Sequence, residues 1–278
     1  MYQKKLEDMN LLDDFLFFKM LNYPGFGEEF SRELLKTIFG KEFGRLNVVP
    51  QKVYYGADID KHGARLDVYL EESADEPALE DATIYDIEPE KQLGKKGELP
   101  RRVRFYHSII DSESLKSGSD YKNLKKVVVI MIMPFDPFGY NHMIYTIKNS
   151  CIEVPELPYE DGARTIFLYT KGEKGDVSRG LRELLDYMED TRAEKAKNES
   201  LKKIDSMVKQ VKMEKGAQLE YMKIFERERM LKEEGREEER INTERERQRA
   251  DKESQRAERA EALLRELLGD KYEAVIGH

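Results

Sequence analysis

Two acidic side chains, Asp67 and Glu88, stand in segments whose other residues are typical of β-strands. Asp67 lies in GARLDVYLEES, residues 63–73, and Glu88 lies in YDIEPEKQ, residues 85–92. If the segments form an antiparallel hairpin that is symmetric about positions 77 and 78, Asp67 lies opposite Glu88. Like charges opposite each other on a sheet repel, and a nearby divalent cation makes such a pair favourable. Oxygen ligands without histidine or cysteine suit Mg²⁺ or Mn²⁺.

The same acids also have a simpler interpretation, as solvated residues on the outer face of an exposed hairpin. With side chains that alternate between faces, Leu70 and Ile87 share the core face of the hairpin, whereas Asp67 and Glu88 share the other face. Spacing alone favours the solvated interpretation, so the choice between the two depends on the neighbouring segments.

A basic helix predicted in LPRRVRFYHSIID favours a functional site. Its arginines, Arg101, Arg102 and Arg104, follow soon after the second strand, where they could bind the phosphates of a nucleic acid beside the metal. Helices rich in arginine are also common as solvated surfaces, so this support is partial.

Hydrophobic patterning predicts the elements that position these side chains. Apolar residues at helical spacing predict one helix over residues 12–22 and a second that ends at Gly40. The continuous apolar run KKVVVIMIMPF predicts a central strand that is covered on both faces. Two further strands are predicted in HMIYTIKNSC and RTIFLYTKG, and an amphipathic helix in SRGLRELLDYMED. The result is a mixed α/β core that ends near residue 190.

The composition changes after this core, which divides the chain into a domain of residues 1–190 and a charged helical tail of residues 191–278. The tail has an apolar seam at helical spacing that predicts packing against a partner helix: Leu201, Ile204, Val208 and Val211. Residues 232–259 alternate in charge sign at short range, which is typical of a single solvated helix with ion pairs between successive turns.

The overall composition argues against several classes of protein. The chain has 278 residues, a net charge of −8 and a pI near 5.4, which is unlike a generally basic nucleic-acid-binding protein but allows a local basic patch. Cys151 is the single cysteine, so no internal disulfide can form. The most apolar run, VVVIMIMPF, is far too short to span a bilayer. We therefore expect a soluble cytoplasmic protein.

The segments together resemble the Rpn family of recombination-promoting nucleases and putative transposases, a branch of the PD-(D/E)XK nuclease superfamily. The resemblance extends over nearly the whole chain and rests on LLDDFLFFKML, GARLDVYLEES, YDIEPEKQ, LPRRVRFYHSIIDSESLKSGSDYKNL, MPFDPFG, MIYTIKNSC, IFLYTKG, LRELLDYM, YMK and EEGREE. It implies a restriction-endonuclease-like core, a mixed β-sheet flanked by helices, with divalent metal dependence and hydrolysis of DNA phosphodiesters. By this match Asp67 and Glu88 are metal ligands, and Asp14 in the first helix assists them.

One position departs from the superfamily pattern. The residue two after Glu88 is expected to be lysine or glutamine, but it is Glu90. In the hairpin register Glu90 lies opposite Arg65, which predicts a cross-strand ion pair. Lys91 can take the place of the motif lysine if a bulge at Pro89 turns it toward the acids. Alternatively, Glu90 and Gln92 form the Glu-x-Gln element, which leaves Glu88 without a role.

The expected function is therefore a Mg²⁺- or Mn²⁺-dependent DNA endonuclease whose breaks promote recombination or transposition, with Lys91 as the group that positions the attacking water. The departure at Glu90 leaves two other classes open. One is a nuclease-fold protein that binds DNA or a partner without cleavage, and the other is an oligomeric assembly protein. The tail is most simply a homo-oligomerisation element. By resemblance to some relatives, its region can also yield a separate regulatory product.

Overall fold

The computed structural model describes residues 4–54, 64–72, 83–92, 94, 97–115 and 117–268. For residues 49–69, where they lie within strands, only the backbone is described, so the side chains of Arg65 and Asp67 lie outside the described part. The described strands are β1 (Leu46–Tyr54), β2 (Ala64–Glu72), β3 (Thr83–Pro89), β4 (Lys126–Met133), β5 (Ile144–Ile147) and β6 (Ala163–Tyr169). The described helices are α1 (Asp14–Leu21), α2 (Gly27–Phe39), α3 (Glu98–Ser114), α4 (Arg179–Glu189), α5 (Glu199–Met213) and α6 (Lys215–Leu268).

The described strands form one mixed sheet of six, in the order β1-β2-β3-β4-β6-β5. The first three strands are antiparallel neighbours, whereas β3, β4 and β6 run parallel, and β5 is antiparallel at the edge. Parallel neighbours need a crossover connection, and α3 supplies it between β3 and β4. This architecture confirms the predicted mixed α/β core flanked by helices.

Helices cover both faces of the centre of the sheet. On one face, α3 contributes Val103 and Ile110 to a core cluster with Ile84, Val129 and Met131 of the strands. On the other face, Tyr85 contacts the rings of Phe39 and Phe43 near the end of α2. All residues of β4 after Lys126 are buried, as the apolar run predicted.

The hairpin register agrees with the prediction. Tyr69 pairs with Asp86 and Leu70 pairs with Tyr85, and the same register continued by two residues places Asp67 opposite Glu88. The solvated interpretation of the hairpin is wrong for β3, because Asp86 is 0% exposed and Glu88 is only 6% exposed. Their face of the sheet also carries Val129 and Met131, the β4 partners of these two acids, and it is covered by α3.

Strand β1 was not predicted from the sequence. Pro50 lies in its middle, and proline cannot donate the hydrogen bond that a central strand requires. The structure resolves this conflict because β1 lies at the edge of the described sheet, with β2 as its partner.

Helix α5 corrects the prediction for the apolar seam. Leu201, Ile204, Val208 and Val211 are buried, and α5 contacts α1 and α2 of the same chain rather than a partner helix. The first compact unit accordingly extends from Met1 to Gln218, beyond the predicted boundary at residue 190.

The second unit begins at Leu219 and, within the described residues, consists of the remainder of the long helix α6. The described side chains of residues 232–259 are exposed, and Arg240 and Glu237 pair one turn apart at 2.6 Å, as the charge pattern predicted. No helix among the described residues is long and apolar enough to cross a membrane.

Candidate active site

The carboxyl end of β3 carries the acids of the candidate site. Strand β3 ends at Pro89, and the Glu90 amide still donates to the Ile132 carbonyl of β4 at 2.8 Å. Side chains alternate along a strand, so Asp86 and Glu88 point to the same face, toward α3. Buried carboxylates are rare outside functional sites and structural ion-pair networks, so two on one face of β3 mark this end of the sheet as a functional candidate.

Beyond Pro89 the chain turns toward α1, and Lys91 reaches the acids there. Its ammonium donates a hydrogen bond to Oδ1 of Asp13, the residue that precedes α1. The same carboxylate accepts hydrogen bonds at Oδ2 from Lys4 and from the Asn10 amide, both at 2.6 Å. Lys91 was predicted to turn toward Asp67 and Glu88, whereas its described side-chain partner is Asp13, directly before α1.

The Asp13 carboxylate is held in its charged form. Burial, the largest single effect, works to raise the pKa of Asp13, but the hydrogen bonds from Lys4, Lys91 and the Asn10 amide outweigh it. The pKa of Asp13 is therefore below its usual range. A charged Asp13 in turn fixes the position of the Lys91 ammonium.

Asp14, the first residue of α1, differs from its neighbour. Its side chain is exposed, but neighbouring protein atoms remove part of its hydration. This desolvation is the largest cause that raises the pKa of Asp14, and the charges of Glu90 and Asp13 add to it, whereas the charge of Lys91 lowers it. Both Glu90 and Lys91 thus lie near enough to act on Asp14. A carboxylate whose charged form is disfavoured gains when a cation binds beside it.

The described side-chain partner of Glu90 is Arg102, and the predicted partner, Arg65, lies outside the described side chains. Oε2 of Glu90 accepts a hydrogen bond from Nη2 of Arg102 at 2.5 Å, and its Oε1 accepts one from the Gln92 amide at 2.7 Å. Burial, the largest effect, works to lower the pKa of Arg102, but the hydrogen bond to Glu90 and the charges of Tyr106, Glu90 and Glu88 raise it overall. Arg102 is therefore charged and lies near both acids.

The two other arginines of α3 remain on the surface. Arg101 and Arg104 are exposed, so both are available for the predicted phosphate contacts. Together, the described structure brings Asp14, Glu88, Glu90, Lys91 and Arg102 to the carboxyl end of β3, and the backbone of Asp67 is paired into the neighbouring strand.

The donor chemistry of this end of the sheet fits Mg²⁺ or Mn²⁺. Its available ligands are carboxylate oxygens, which hard divalent cations prefer. The described side chains contain no cluster of three or more acidic, histidine or cysteine residues that is close enough to hold a metal. Asp67, whose side chain is not described, would be the further ligand beside Glu88 if the register of Tyr69 with Asp86 continues for two residues.

The family of the chain follows from a comparison with protein-family models. The model of the PD-(D/E)XK nuclease family transposase matches residues 11–156, more than half of the chain. The chain belongs to this family. The match spans α1 through β5 and thus includes every candidate side chain of the site. Neither the curated proteins nor the solved structures contain a match to this chain.

Membership in the PD-(D/E)XK nuclease family confirms the resemblance found in the sequence and agrees with the mixed α/β core. Asp13 was not predicted as a site residue, because its partner Lys91 lies 78 residues away along the chain. As an acid at the start of the predicted helix over residues 12–22, Asp13 carries only the general signal of a residue suited to a first helical turn. The structure shows that its side chain bonds Lys4, Asn10 and Lys91.

The Asp13 hydrogen bonds predict a pH-dependent contribution to stability. The folded-state pKa is lowered, so the contribution is fully present above about pH 4, the value for an unfolded aspartate, and is lost as pH falls through the lower folded value. We expect Asp13→Asn to lower the free energy of unfolding at pH 7 by about 1–3 kcal/mol. The difference from wild type should shrink toward zero in acid.

Urea unfolding followed by circular dichroism between pH 2.5 and pH 7 measures this effect. Asp176→Asn, which changes an exposed aspartate, is the matched control and should follow the wild type throughout. A constant difference between Asp13→Asn and wild type across the whole range would contradict the assignment.

Proposed function

We propose that this chain is a divalent-metal-dependent DNA endonuclease whose breaks promote recombination or transposition. The observation that carries the proposal is the pairing of Tyr69 with Asp86 in a chain of the PD-(D/E)XK nuclease family, because this register, if continued by two residues, sets Asp67 opposite Glu88. Burial of Glu88 and the nearby charges of Asp14, Lys91 and Arg102 support a site rather than a solvated surface.

In this proposal Asp67 and Glu88 hold Mg²⁺ or Mn²⁺, and Asp14 assists them from α1. The metal, when bound, supplies Lewis-acid polarisation of the scissile phosphate and activation of a water. Lys91, fixed by Asp13, orients the attacking water from the α1 side. Arg101 and Arg104 contact flanking phosphates, which positions the DNA without reading its sequence.

The partners and compartment in this proposal are those the sequence suggested. The substrate is DNA, and the protein acts in the cytoplasm, where its single cysteine stays reduced. Helix α6 joins two or more copies, since apolar residues such as Leu219, Met222 and Leu231 are exposed on it. A regulatory product from the C-terminal region remains part of the proposal.

The departure at Glu90 supports a second candidate, a nuclease-fold protein that binds DNA but no longer cleaves it. Its carboxylate occupies the position where the superfamily has lysine or glutamine, so a group that assists the water and the phosphate is absent from the strand itself. Such a protein would bind DNA in the absence of metal and leave it intact.

Cleavage of supercoiled plasmid by the purified full-length chain tests the two candidates. We expect nicked and linear products with Mg²⁺ or Mn²⁺ and none with EDTA, with DNA binding followed in parallel by gel retardation. Binding without cleavage at any metal concentration would favour the second candidate. The absence of both activities would leave only an assembly role for the core.

A further inference from the structure

The position two residues after Glu88 holds an acid, yet a cation lies beside it. We propose that Arg102 supplies, from α3, the positive charge that the superfamily motif places on the strand, and that Glu90 is the positioning residue that holds it there. This inference rests on the proposed function and assigns Arg102 to the phosphate at which the bond breaks rather than to a flanking one.

The contacts of Arg102 place its guanidinium at the site. It lies in the second turn of α3 and its side chain is 34% exposed, so it is held against the protein rather than extended into solvent. One nitrogen, Nη2, bonds Glu90, and the negative charge of Glu88 also acts on the guanidinium. The cation of Arg102 therefore lies near both Glu88, the proposed metal ligand, and Glu90, the residue that departs from the motif.

The Nε atom of Arg102 is buried and has no hydrogen-bond partner among the described residues. An arginine has five N–H donors in a fixed planar fork, and a buried donor without a partner is destabilising. A phosphate oxygen would satisfy this donor, because guanidinium and phosphate match in geometry and charge. The orphan donor thus points to an anionic ligand.

The contacts of Glu90 fit a positioning role better than a metal-binding role. Both of its carboxylate oxygens already accept hydrogen bonds, one from Arg102 and one from the Gln92 amide. Lys91 is bonded to Asp13 on α1 and is thereby committed to the other side of the site. A fixed donor aimed at developing charge typically contributes about 10²–10³-fold to the rate.

Moving the charge from α3 to the strand tests the proposal. Arg102→Ala is expected to reduce plasmid cleavage by about 10²–10³-fold, and adding Glu90→Lys to it should restore most of the activity, because the lysine then stands at the motif position. Glu90→Ala removes the carboxylate that holds Arg102 and should lower cleavage, and the conservative variant Glu90→Gln, which keeps an acceptor oxygen for Arg102, should recover part of it. The matched control is Arg182→Ala, which removes an exposed arginine of α4 that has no role in the proposed site.

Two readouts do not depend on cleavage. Mn²⁺ affinity, measured by electron paramagnetic resonance, should be the same in wild type and in Arg102→Ala/Glu90→Gln, because neither residue is a metal ligand. With EDTA present, the slope of log K for DNA binding against log salt concentration should be smaller in magnitude by about 0.9 in Arg102→Ala than in wild type, because one phosphate contact is lost.

Thermal unfolding identifies variants that fail to fold. If Arg102→Ala is one of them, Arg102→Gln/Glu90→Gln removes the charge and keeps a hydrogen bond.

The outcomes separate this inference from the proposed function. If the wild type cleaves DNA and the folded Arg102 variants cleave equally well, or if Glu90→Lys restores nothing, the role of Arg102 is overturned while the nuclease assignment stands. If the wild type binds DNA without cleavage, and an Arg102 variant has the same salt slope as the wild type, the proposed contact between Arg102 and a DNA phosphate is wrong. If the wild type neither binds nor cleaves DNA, both proposals fail.

Discussion

Asp67→Asn and Glu88→Gln proteins are expected to keep the fold and to lose metal-dependent DNA cleavage by about 10³-fold or more. A metal ion contributes several kcal/mol of transition-state stabilisation, and about 4 kcal/mol corresponds to a thousandfold in rate. Each substitution keeps the shape of the side chain and removes one anionic ligand. Because Glu88 is buried under α3, the neutral glutamine should also be tolerated by the core.

Three measurements make this expectation specific. Plasmid cleavage gives the loss of rate, Mn²⁺ binding gives the loss of metal affinity, and urea unfolding shows that the fold is retained. Asp120→Asn is the matched control, since Asp120 is exposed in the loop after α3 and its only side-chain role among the described contacts is with Lys122. Equal cleavage by wild type and both site variants would contradict the role of Asp67 and Glu88 as metal ligands and would mean that the active site lies elsewhere.

The hairpin could be predicted from sequence because its information is local. Alternation of apolar and acidic residues fixes which side chains share a face, and a symmetric turn fixes the register that the structure shows at Tyr69 and Asp86. The burial of Asp86 and Glu88 could not be predicted in the same way. It depends on α3, the crossover helix between β3 and β4, which packs over their face of the sheet.

The partners of Glu90 show a second limit of local reasoning. Alternation along the hairpin suggested Arg65 across the strand, whereas the described side chain that bonds Glu90 is Arg102, on the helix that follows. A similar limit explains the error at α5. A seam such as Leu201, Ile204 and Val208 shows that one helix face is buried, but it does not show whether the partner belongs to the same chain.

A chain that ends at residue 190 is therefore expected not to fold, whereas a chain that ends at Gln218 should fold. The shorter chain loses four fully buried aliphatic side chains of α5: Leu201, Ile204, Val208 and Val211. At about 1.5–3 kcal/mol each, their burial contributes about 6–12 kcal/mol, which is comparable to the whole stability of a typical domain of about 5–15 kcal/mol.

Two polar contacts are lost with α5 as well. Lys203 pairs with Glu33 of α2 at 2.6 Å, and the Tyr187 hydroxyl of α4 donates to Asp205 at 3.1 Å. Burial, followed by the adjacent Asp205 charge, raises the pKa of Tyr187 far above its usual range, so this hydroxyl stays protonated and acts as a donor. Without α5 the Glu33 carboxylate and the Tyr187 hydroxyl lose these partners. The surfaces of α1 and α2 that pack against α5 also become exposed to solvent.

Urea unfolding of the two truncated chains, followed by circular dichroism, tests this account. The chain ending at Gln218 should unfold cooperatively with a midpoint near that of the full chain, and the chain ending at residue 190 should show no cooperative transition. Within the full chain, Ile204→Ala should cost about 2–5 kcal/mol, while Leu219→Ala, at a side chain that is 58% exposed, should stay within about 0.5 kcal/mol of wild type. A cooperative, equally stable 1–190 chain would show that α5 is dispensable and that its apolar seam is free to bind another helix.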